Sequence, residues 1–359
     1  MEEKIERLIK WSKGGKAPPL TLELNITNKC NLLCKMCWLR STNPNYDEEM
    51  KDEELARIID EAIELGVKEF RFPGSGEPLM RKEILFKLMK KIKERGGNGL
   101  LISNGTLFSE EDVKKMIEMK WDVLTISLDG PSPEINDYIR GVEGAFEGVV
   151  KTLNLIKKWK KKLREEYPWL RMNVVLTNKN YNKLEEIVML ASEFGFKEVL
   201  LQPMTIFSKE GEKLRIKNVE SISDYLKAAE RRAREFDIKT NFSSFIKSII
   251  VERTNEMKKM IKEEIRKFDD EFLCVPCYEP FYNLVIMPNG KVGSCAISGG
   301  KTEVDVKNNS LKEVWFGPFF DEVRKNLLKG KLFPFCSHCC VPIFLENKKL
   351  RSELAKVIE

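Results

Sequence analysis

No run of about 18 apolar residues occurs anywhere in the 359-residue sequence, which excludes a helix that spans a bilayer. The amino terminus, Met1-Glu-Glu-Lys-Ile-Glu-Arg-Leu-Ile9, carries acids and lacks an apolar core, so no secretory leader is expected and the chain is placed in the cytoplasm. There is no internal repeat and no low-complexity segment, which leaves neither a solenoid nor a compositionally disordered tail to account for. Histidine is almost absent, one residue against 62 Lys and Arg and 56 Asp and Glu, a Lys/Glu-rich balance that fits a thermophile's surface. The net charge of +6 is small against that total and argues only weakly for a polyanionic partner. The densest basic run, Lys157-Lys-Trp-Lys-Lys-Lys-Leu-Arg164, has Trp159 and Trp169 nearby and could meet RNA phosphates and bases. It reads better as the solvated end of a helix.

What is present describes a globular chain with redox or metal chemistry. A length of 359 residues exceeds a single ordinary core, so one large domain and a smaller one are expected. The composition, 42% hydrophobic and 33% charged, is that of a soluble protein. The nine cysteines are odd in number and fall in two groups more than two hundred residues apart, which suits metal or redox sites better than a disulfide framework.

Between Thr21 and Pro203 short apolar runs alternate with stretches of helical period. Strands are expected at Leu22 to Ile26, Glu69 to Phe72, Leu100 to Ser103, Val123 to Ser127, Met172 to Leu176 and Glu198 to Gln202. Helices are expected at Glu53 to Leu65, Lys82 to Arg95, Glu110 to Met119, Phe146 to Leu163 and Leu184 to Phe194. Six strand–helix repeats predict parallel strands joined by right-handed crossovers, an α/β fold of (β/α)6 partial-barrel type. Ligands of such sheets sit at the carboxyl ends of the strands. From Phe207 to Phe272 the alternation gives way to charged helices, Leu226 to Phe236 and Met257 to Phe268 being the clearest. Beyond that, Phe281 to Met287, the Asn289-Gly290 turn and Lys291 to Cys295 read as a hairpin, followed by a helix from Leu311 to Leu328.

The chemistry is concentrated at the strand ends. After the first strand comes Asn28-Lys-Cys30-Asn-Leu-Leu-Cys34-Lys-Met-Cys37, a C-x3-C-x2-C loop. It offers three thiolates, one fewer than close a [4Fe–4S] cube, and so leaves one iron open for a co-substrate. A zinc loop is the alternative for the triplet alone. After the second strand comes Phe72-Pro-Gly74-Ser75-Gly76-Glu77-Pro78, whose glycines let backbone approach a ligand closely. The third strand ends in Ser103-Asn104-Gly105-Thr106 and the fourth in Ser127-Leu-Asp129-Gly130-Pro131, with Arg140-Gly141 following. Small polar side chains there can bond a carboxylate or a ribose and an arginine can clamp a carboxylate, although Asn-Gly and Asp-Gly-Pro also form turns whatever their function.

Together these motifs resemble the radical S-adenosylmethionine (radical SAM) superfamily, with Ser75 inserted or substituted in its G-G-E-P element. The resemblance implies a partial TIM barrel in which Cys30, Cys34 and Cys37 hold a [4Fe–4S] cluster whose open iron chelates SAM. It implies that Gly74, Ser75, Gly76 and Glu77 hold the methionyl ammonium, that Ser127 and Arg140 contact the SAM carboxylate, and that Met36 lies beside adenine. Asn104 and Asp129 are further cofactor contacts on the same basis, and Gln202-Pro203 closes the site.

The second cysteine group contains Cys274-Val-Pro-Cys277, then Cys295, then Cys336-Ser-His-Cys339-Cys340. Cys277 to Cys295 reads C-x12-G-x4-C and resembles the opening of SPASM and shorter twitch domains, small α+β modules that carry auxiliary clusters. The middle cysteine run of a full SPASM domain is missing. One auxiliary [4Fe–4S] cluster is therefore expected on Cys277, Cys295, Cys336 and Cys339, with Cys274 and Cys340 as alternates and His338 as a neighbour or ligand. The two C-x2-C pairs leave structural zinc open as the other reading.

The expected organisation is a helical extension over 1–20, a core barrel over 21–206, a helical connector or lid over 207–272, the auxiliary domain over 273–345 and a C-terminal helix over 346–359. The resemblance implies an enzyme that cleaves SAM reductively to a 5′-deoxyadenosyl radical and abstracts hydrogen from an unactivated carbon. The most direct outcome is dehydrogenation or crosslinking of a peptide, with RNA or a small cofactor precursor as other substrates and a ferredoxin or flavodoxin as external electron donor. No catalytic acid is named. A non-catalytic electron-transfer protein and a zinc-containing RNA-binding protein are the competing classes, and the first has no use for a SAM pocket.

Overall fold

The computed structural model describes every residue except 43, 219–221, 246–255, 296, 297, 299–301, 340 and 359, and omits the side chains of residues 40, 41 and 338. All six expected strands form: β1 (Thr21–Leu24), β2 (Glu69–Phe72), β3 (Asn98–Ser103), β4 (Val123–Ser127), β5 (Trp169–Val175) and β6 (Glu198–Gln202). They lie side by side in sequence order, each parallel to the next. Leu22 stands opposite Phe70, Ile102 opposite Thr125, Ser127 opposite Asn173 and Val175 opposite Gln202. The five expected helices, Asp52–Leu65, Lys82–Glu94, Glu110–Glu118, Ala145–Leu163 and Leu184–Glu193, fill the crossovers.

Burial explains the alternation. One pleat face of the sheet, with Leu24, Phe70, Phe72, Leu124, Ile126, Met172 and Val174, packs under helix stripes such as Leu55, Ile58, Ile59 and Ala62 or Leu85, Leu88, Met89 and Ile92. Residues three and four apart on a helix share a face and residues two apart on a strand share a side, so both patterns point to one core. The other face of the sheet is polar. There Arg71 pairs with Glu23 at 3.4 Å and Glu69 at 3.0 Å, and Arg171 pairs with Glu198.

Several features were not expected. A seventh parallel strand, β7 (Lys239–Thr240), extends the sheet beyond β6; two residues are too few to show periodicity. At the opposite edge the C-terminal hairpin, β8 (Asn283–Ile286) and β9 (Val292–Gly293), joins the same sheet, β8 parallel to β1 and β9 antiparallel to β8. The helix expected from Leu311 to Leu328 is two, Leu311–Trp315 and Pro318–Leu328. Pro318 lacks an amide donor and disfavours helical backbone before it, and Gly317 is accordingly extended. The last helix starts at Val341, five residues earlier than expected, and runs to Ile358.

A second core brings both termini to the cysteine-rich region. Leu8 of the first helix (Glu2–Ser12), Phe272, Leu273, Val275, Tyr278 and Phe281 pack with Val323, Leu327, Leu350 and Leu354. Buried Arg351 donates to the carbonyls of Leu273 and Val275, each at 2.8 Å, and so fastens the segment that leads to Cys277. Among the described residues no helix is long and apolar enough to cross a membrane.

Candidate functional site

The loop that follows β1 is tied to the segments after three other strands, to two by backbone bonds and to one by side chains. The Gly76 amide donates to Thr27 O at 2.9 Å and the Glu77 amide to Lys29 O at 2.8 Å, joining the loop to the end of β2. The amides of Leu33 and Lys35 donate to Arg140 O at 3.1 Å and Ile139 O at 3.0 Å, on the short helix Pro133–Arg140 after β4. At β3 the Asn104 amide group donates to Asn31 Oδ1 and Asn31 Nδ2 donates to Thr106 Oγ1, both at 2.8 Å. The approach at Gly76 is so close that a Cβ there would stand 2.3 Å from Lys29 O, which only glycine avoids. Four separate sequence motifs thus meet around Cys30, Cys34 and Cys37.

The charged groups beneath the loop are buried and face one another, and Arg140 Nε is left without a hydrogen-bond partner among the described residues. Glu77 accepts from Ser103 Oγ at 2.8 Å, the Asn104 amide at 2.7 Å and the Leu79 amide at 3.2 Å; burial nevertheless pushes its carboxyl up. Arg140 forms an ion pair with Asp129 at 2.8 Å, and its other terminal nitrogen lies 3.8 Å from Cys34 Sγ. Burial pushes the Asp129 carboxyl up, against the pull of Arg140 and the Val175 amide. Burial also works against the Arg140 charge, but Asp129 and the Cys34 sulfur outweigh it and the guanidinium is held charged. Cys30 is exposed as a residue, yet the protein around its thiol desolvates it and, with Cys34, Glu77 and Cys37, pushes it up to about 11. Taking up a metal centre here would release protons.

Met36 sits in an apolar cluster with Ile139 and Leu214, flanked by Cys34, Val175 and Met204. Ser127 stands beside Asn173 at the carboxyl ends of β4 and β5, and Leu176 N donates to Gln202 O at 3.0 Å across β5 and β6. Three residues escaped the sequence reading. Asn173 has a buried side-chain oxygen without a hydrogen-bond partner among the described residues, as does Thr125. A polar residue at an inward position of an apolar strand was the available signal. Buried Asn180 donates to Asp129 O at 2.7 Å and Val175 O at 2.9 Å, fixing the turn that carries Asp129. Its place in a loop gave no warning of that.

The second cysteine group surrounds a cavity of about 40 Å³. Cys277, Cys295, Cys336 and Cys339 line it together with Ile261, Leu332, Phe333, Phe335, Ile343 and Phe344. Cys295 follows β9, Cys336 lies in the short turn of helix Pro334–His338, and Gly290, at φ +85°, makes the hairpin turn that brings the first two cysteines together. Burial pushes the Cys277 thiol well up, with Glu279, Cys339 and Cys295 adding to the effect, and pushes Cys336 up as well. Cys274 points elsewhere, donating to Phe268 O at 3.1 Å, and does not line the cavity. Cys340 and the His338 side chain lie outside the described residues. Among the described residues no three His, Cys, Asp or Glu side chains form a group that could hold a single metal ion. An apolar chamber walled by four sulfur donors fits a thiolate-held cluster.

Comparison with known proteins agrees with this arrangement. Residues 24–191 match the model of the radical SAM superfamily, and residues 277–340 match that of an iron–sulfur cluster-binding domain, SPASM. The chain is 35% identical over 147 residues to Fe-coproporphyrin III synthase of Methanosarcina barkeri, covering 41% of this chain and 35% of that protein. It is 32% identical over 182 residues to PqqA peptide cyclase of Granulibacter bethesdensis, covering 50% and 45%. Each match therefore spans less than half the length of the relative. In fold it is similar to Streptococcus suis SuiB bound to the precursor peptide SuiA, with a TM-score of 0.65, 17% identity and coverage of 89% of this chain and 70% of that one. The chain thus carries a radical SAM superfamily domain over residues 24–191, which implies a [4Fe–4S] cluster and SAM, and a SPASM iron–sulfur cluster-binding domain over residues 277–340.

Proposed function

We propose that this protein is a radical SAM enzyme that oxidatively matures a peptide, with a SAM-binding cluster on Cys30, Cys34 and Cys37 and one auxiliary cluster on Cys277, Cys295, Cys336 and Cys339. The observation that carries the reading is the docking of the three-cysteine loop on the Gly74–Gly76 turn and Arg140, while four further cysteines wall a separate apolar cavity. Held by Cys30, Cys34 and Cys37, the first cluster would supply one electron for breaking the S–C5′ bond of SAM into methionine and a 5′-deoxyadenosyl radical, the chemistry that removes hydrogen from an unactivated carbon.

The chain's own residues bind, orient and exclude water. Glu77 and Asn104 have their side chains committed to neighbouring strand ends, so we assign them the shaping of the turns and leave the methionyl ammonium to the backbone around Gly74, Ser75 and Gly76. Ser127 and Arg140 bind the SAM carboxylate, Arg140 held in place by Asp129. Met36, Ile139, Val175 and Leu214 give the site an apolar wall that keeps water from a reactive intermediate. Residues 21–206 form the SAM-binding barrel, 207–272 the connector that shapes the substrate cavity and 273–345 the auxiliary domain; 1–20 and 346–359 are the flanking helical segments.

A peptide substrate is supported by the likeness to PqqA peptide cyclase and to a peptide-bound SuiB fold. A tetrapyrrole substrate is the second reading, favoured by the 35% identity to Fe-coproporphyrin III synthase. The test is formation of 5′-deoxyadenosine from SAM with dithionite, in the wild type and in Cys30→Ala/Cys34→Ala/Cys37→Ala. Product from the wild type alone supports the proposal, and none from a fully loaded wild type refutes it. A shifted visible spectrum on adding Fe-coproporphyrin III would move the substrate assignment from peptide to tetrapyrrole.

A further inference from the structure

The cysteine loop presents part of its surface to solvent in a form that suits a protein partner. Leu33, the residue before Cys34, is 55% exposed, and Tyr138, on the helix that holds the loop, is 42% exposed. The two belong to one surface, because the Leu33 and Lys35 amides are bonded to the carbonyls of Arg140 and Ile139. Two ammonium groups share the Tyr138 ring: Lys35 Nζ lies 3.1 Å from its centroid and Lys179 Nζ 5.1 Å. Lys29, just before Cys30, adds a third cation, 5.9 Å from the Tyr46 ring; it and Lys179 are exposed and Lys35 is half-buried. An apolar centre with a cationic rim is the anatomy of a docking surface for an acidic partner.

Its position says which partner. Leu33 and Lys35 flank Cys34 in the chain, and the helix bearing Tyr138 ends in Arg140, whose guanidinium is 3.8 Å from the Cys34 sulfur. A carrier seated here would contact the residues that flank Cys34 in the chain. The larger basic run, Lys157 to Arg164, lies at the C-terminal end of helix Ala145–Leu163, hence at the opposite end of the parallel strands from the loop. Density of charge alone would have pointed to the wrong face. The nearest acid on the Tyr138 helix is Asp137, whose carboxylate is engaged by the Gly144 amide at 2.7 Å and the Phe146 amide at 2.8 Å; Glu134, one turn before Tyr138, is the other.

We propose that the surface formed by Leu33, Lys35, Tyr138 and Lys179 docks an acidic one-electron carrier protein of the flavodoxin or small ferredoxin class. The inference rests on the function proposed above, since a reductant is needed only if the loop holds a reducible cluster. In the step itself the carrier is oxidised by one electron and the cluster on the loop is reduced by one; no bond or proton moves.

The experiment uses reconstituted protein and a bacterial flavodoxin with its NADPH-dependent reductase. Binding is read by biolayer interferometry, and SAM cleavage is driven in parallel by the flavodoxin system and by dithionite. Lys35→Glu/Lys179→Glu should weaken flavodoxin binding at least about tenfold and lower the ratio of flavodoxin-driven to dithionite-driven cleavage by a similar factor. Wild-type binding should weaken as salt rises. Leu33→Ser should weaken binding without changing its salt dependence, and Lys161→Glu should do neither. Unchanged binding in the double charge reversal, or a loss equal to that of Lys161→Glu, overturns the proposal. Flavodoxin binding without SAM cleavage by either reductant would uphold the docking surface and refute the function instead.

Discussion

Replacing Gly141 by alanine separates the two costs of docking the cysteine loop. Gly141 sits at φ +72°, and an added Cβ would lie 2.2 Å from Leu33 O and 2.9 Å from Leu33 C. Gly144, three residues on, has φ +81° but nothing within 4 Å. The left-handed backbone costs an L-residue about 1–2 kcal/mol at either position. At Gly141 the contact is with backbone, so relief requires the loop to move, which breaks the bonds from the Leu33 and Lys35 amides at about 1 kcal/mol each. Gly141→Ala should therefore lose about 3–4 kcal/mol and Gly144→Ala only about 1–2 kcal/mol. Urea titrations of the two reconstituted variants, with iron content followed in parallel, read the difference. Gly141→Ala should also shed iron from the N-terminal site while Gly144→Ala keeps it. Equal losses in the two variants would show that the loop is not held by this contact.

Asp129→Asn strands the Arg140 charge in a buried site and should cost about 3 kcal/mol, most of it recovered in Asp129→Leu/Arg140→Met; a double-mutant cycle in urea measures the coupling. Cys274→Ala should keep the full iron content, because its sulfur faces Phe268 O, whereas Cys336→Ala should lose one cluster's worth by colorimetric iron assay. Burial holds Lys160 down to about 8 from 10.5, so between those values the unfolded state binds a proton that the folded state lacks and this lysine's contribution to stability rises with pH. Lys160→Gln should flatten that rise, visible as a shrinking difference between variant and wild-type melting temperatures from pH 8 to pH 10.5.

Much of this was legible in the chain because its signals were local. The barrel follows from apolar runs of period two alternating with helical stripes, and β2 and β4 fall where that pattern puts them, Glu69–Phe72 and Val123–Ser127. The cysteine motifs were legible because a loop of ten residues carries all three thiols. The alternates at the second site were not separable by spacing: Cys274 and Cys277 stand equally well in a C-x2-C pair, and only packing turns one into the cavity and the other toward Phe268. Long-range pairing was also invisible. Nothing in Asn283–Ile286 announces that it lies parallel to Thr21–Leu24 at the other end of the chain, and the committed side chains of Glu77 and Asn104 show only once the strand ends meet. The division of the last long helix was written in Gly317-Pro318, whose effect on the preceding backbone a periodicity count overlooks.

The central claim, two separate clusters on two separate cysteine sets, is tested most directly by iron and sulfide counts after anaerobic reconstitution of the wild type and of Cys30→Ala/Cys34→Ala/Cys37→Ala. The account predicts about eight irons per chain in the wild type and about four in the variant, with matching sulfide. About four irons in the wild type and none in the variant, with zinc retained, would contradict it.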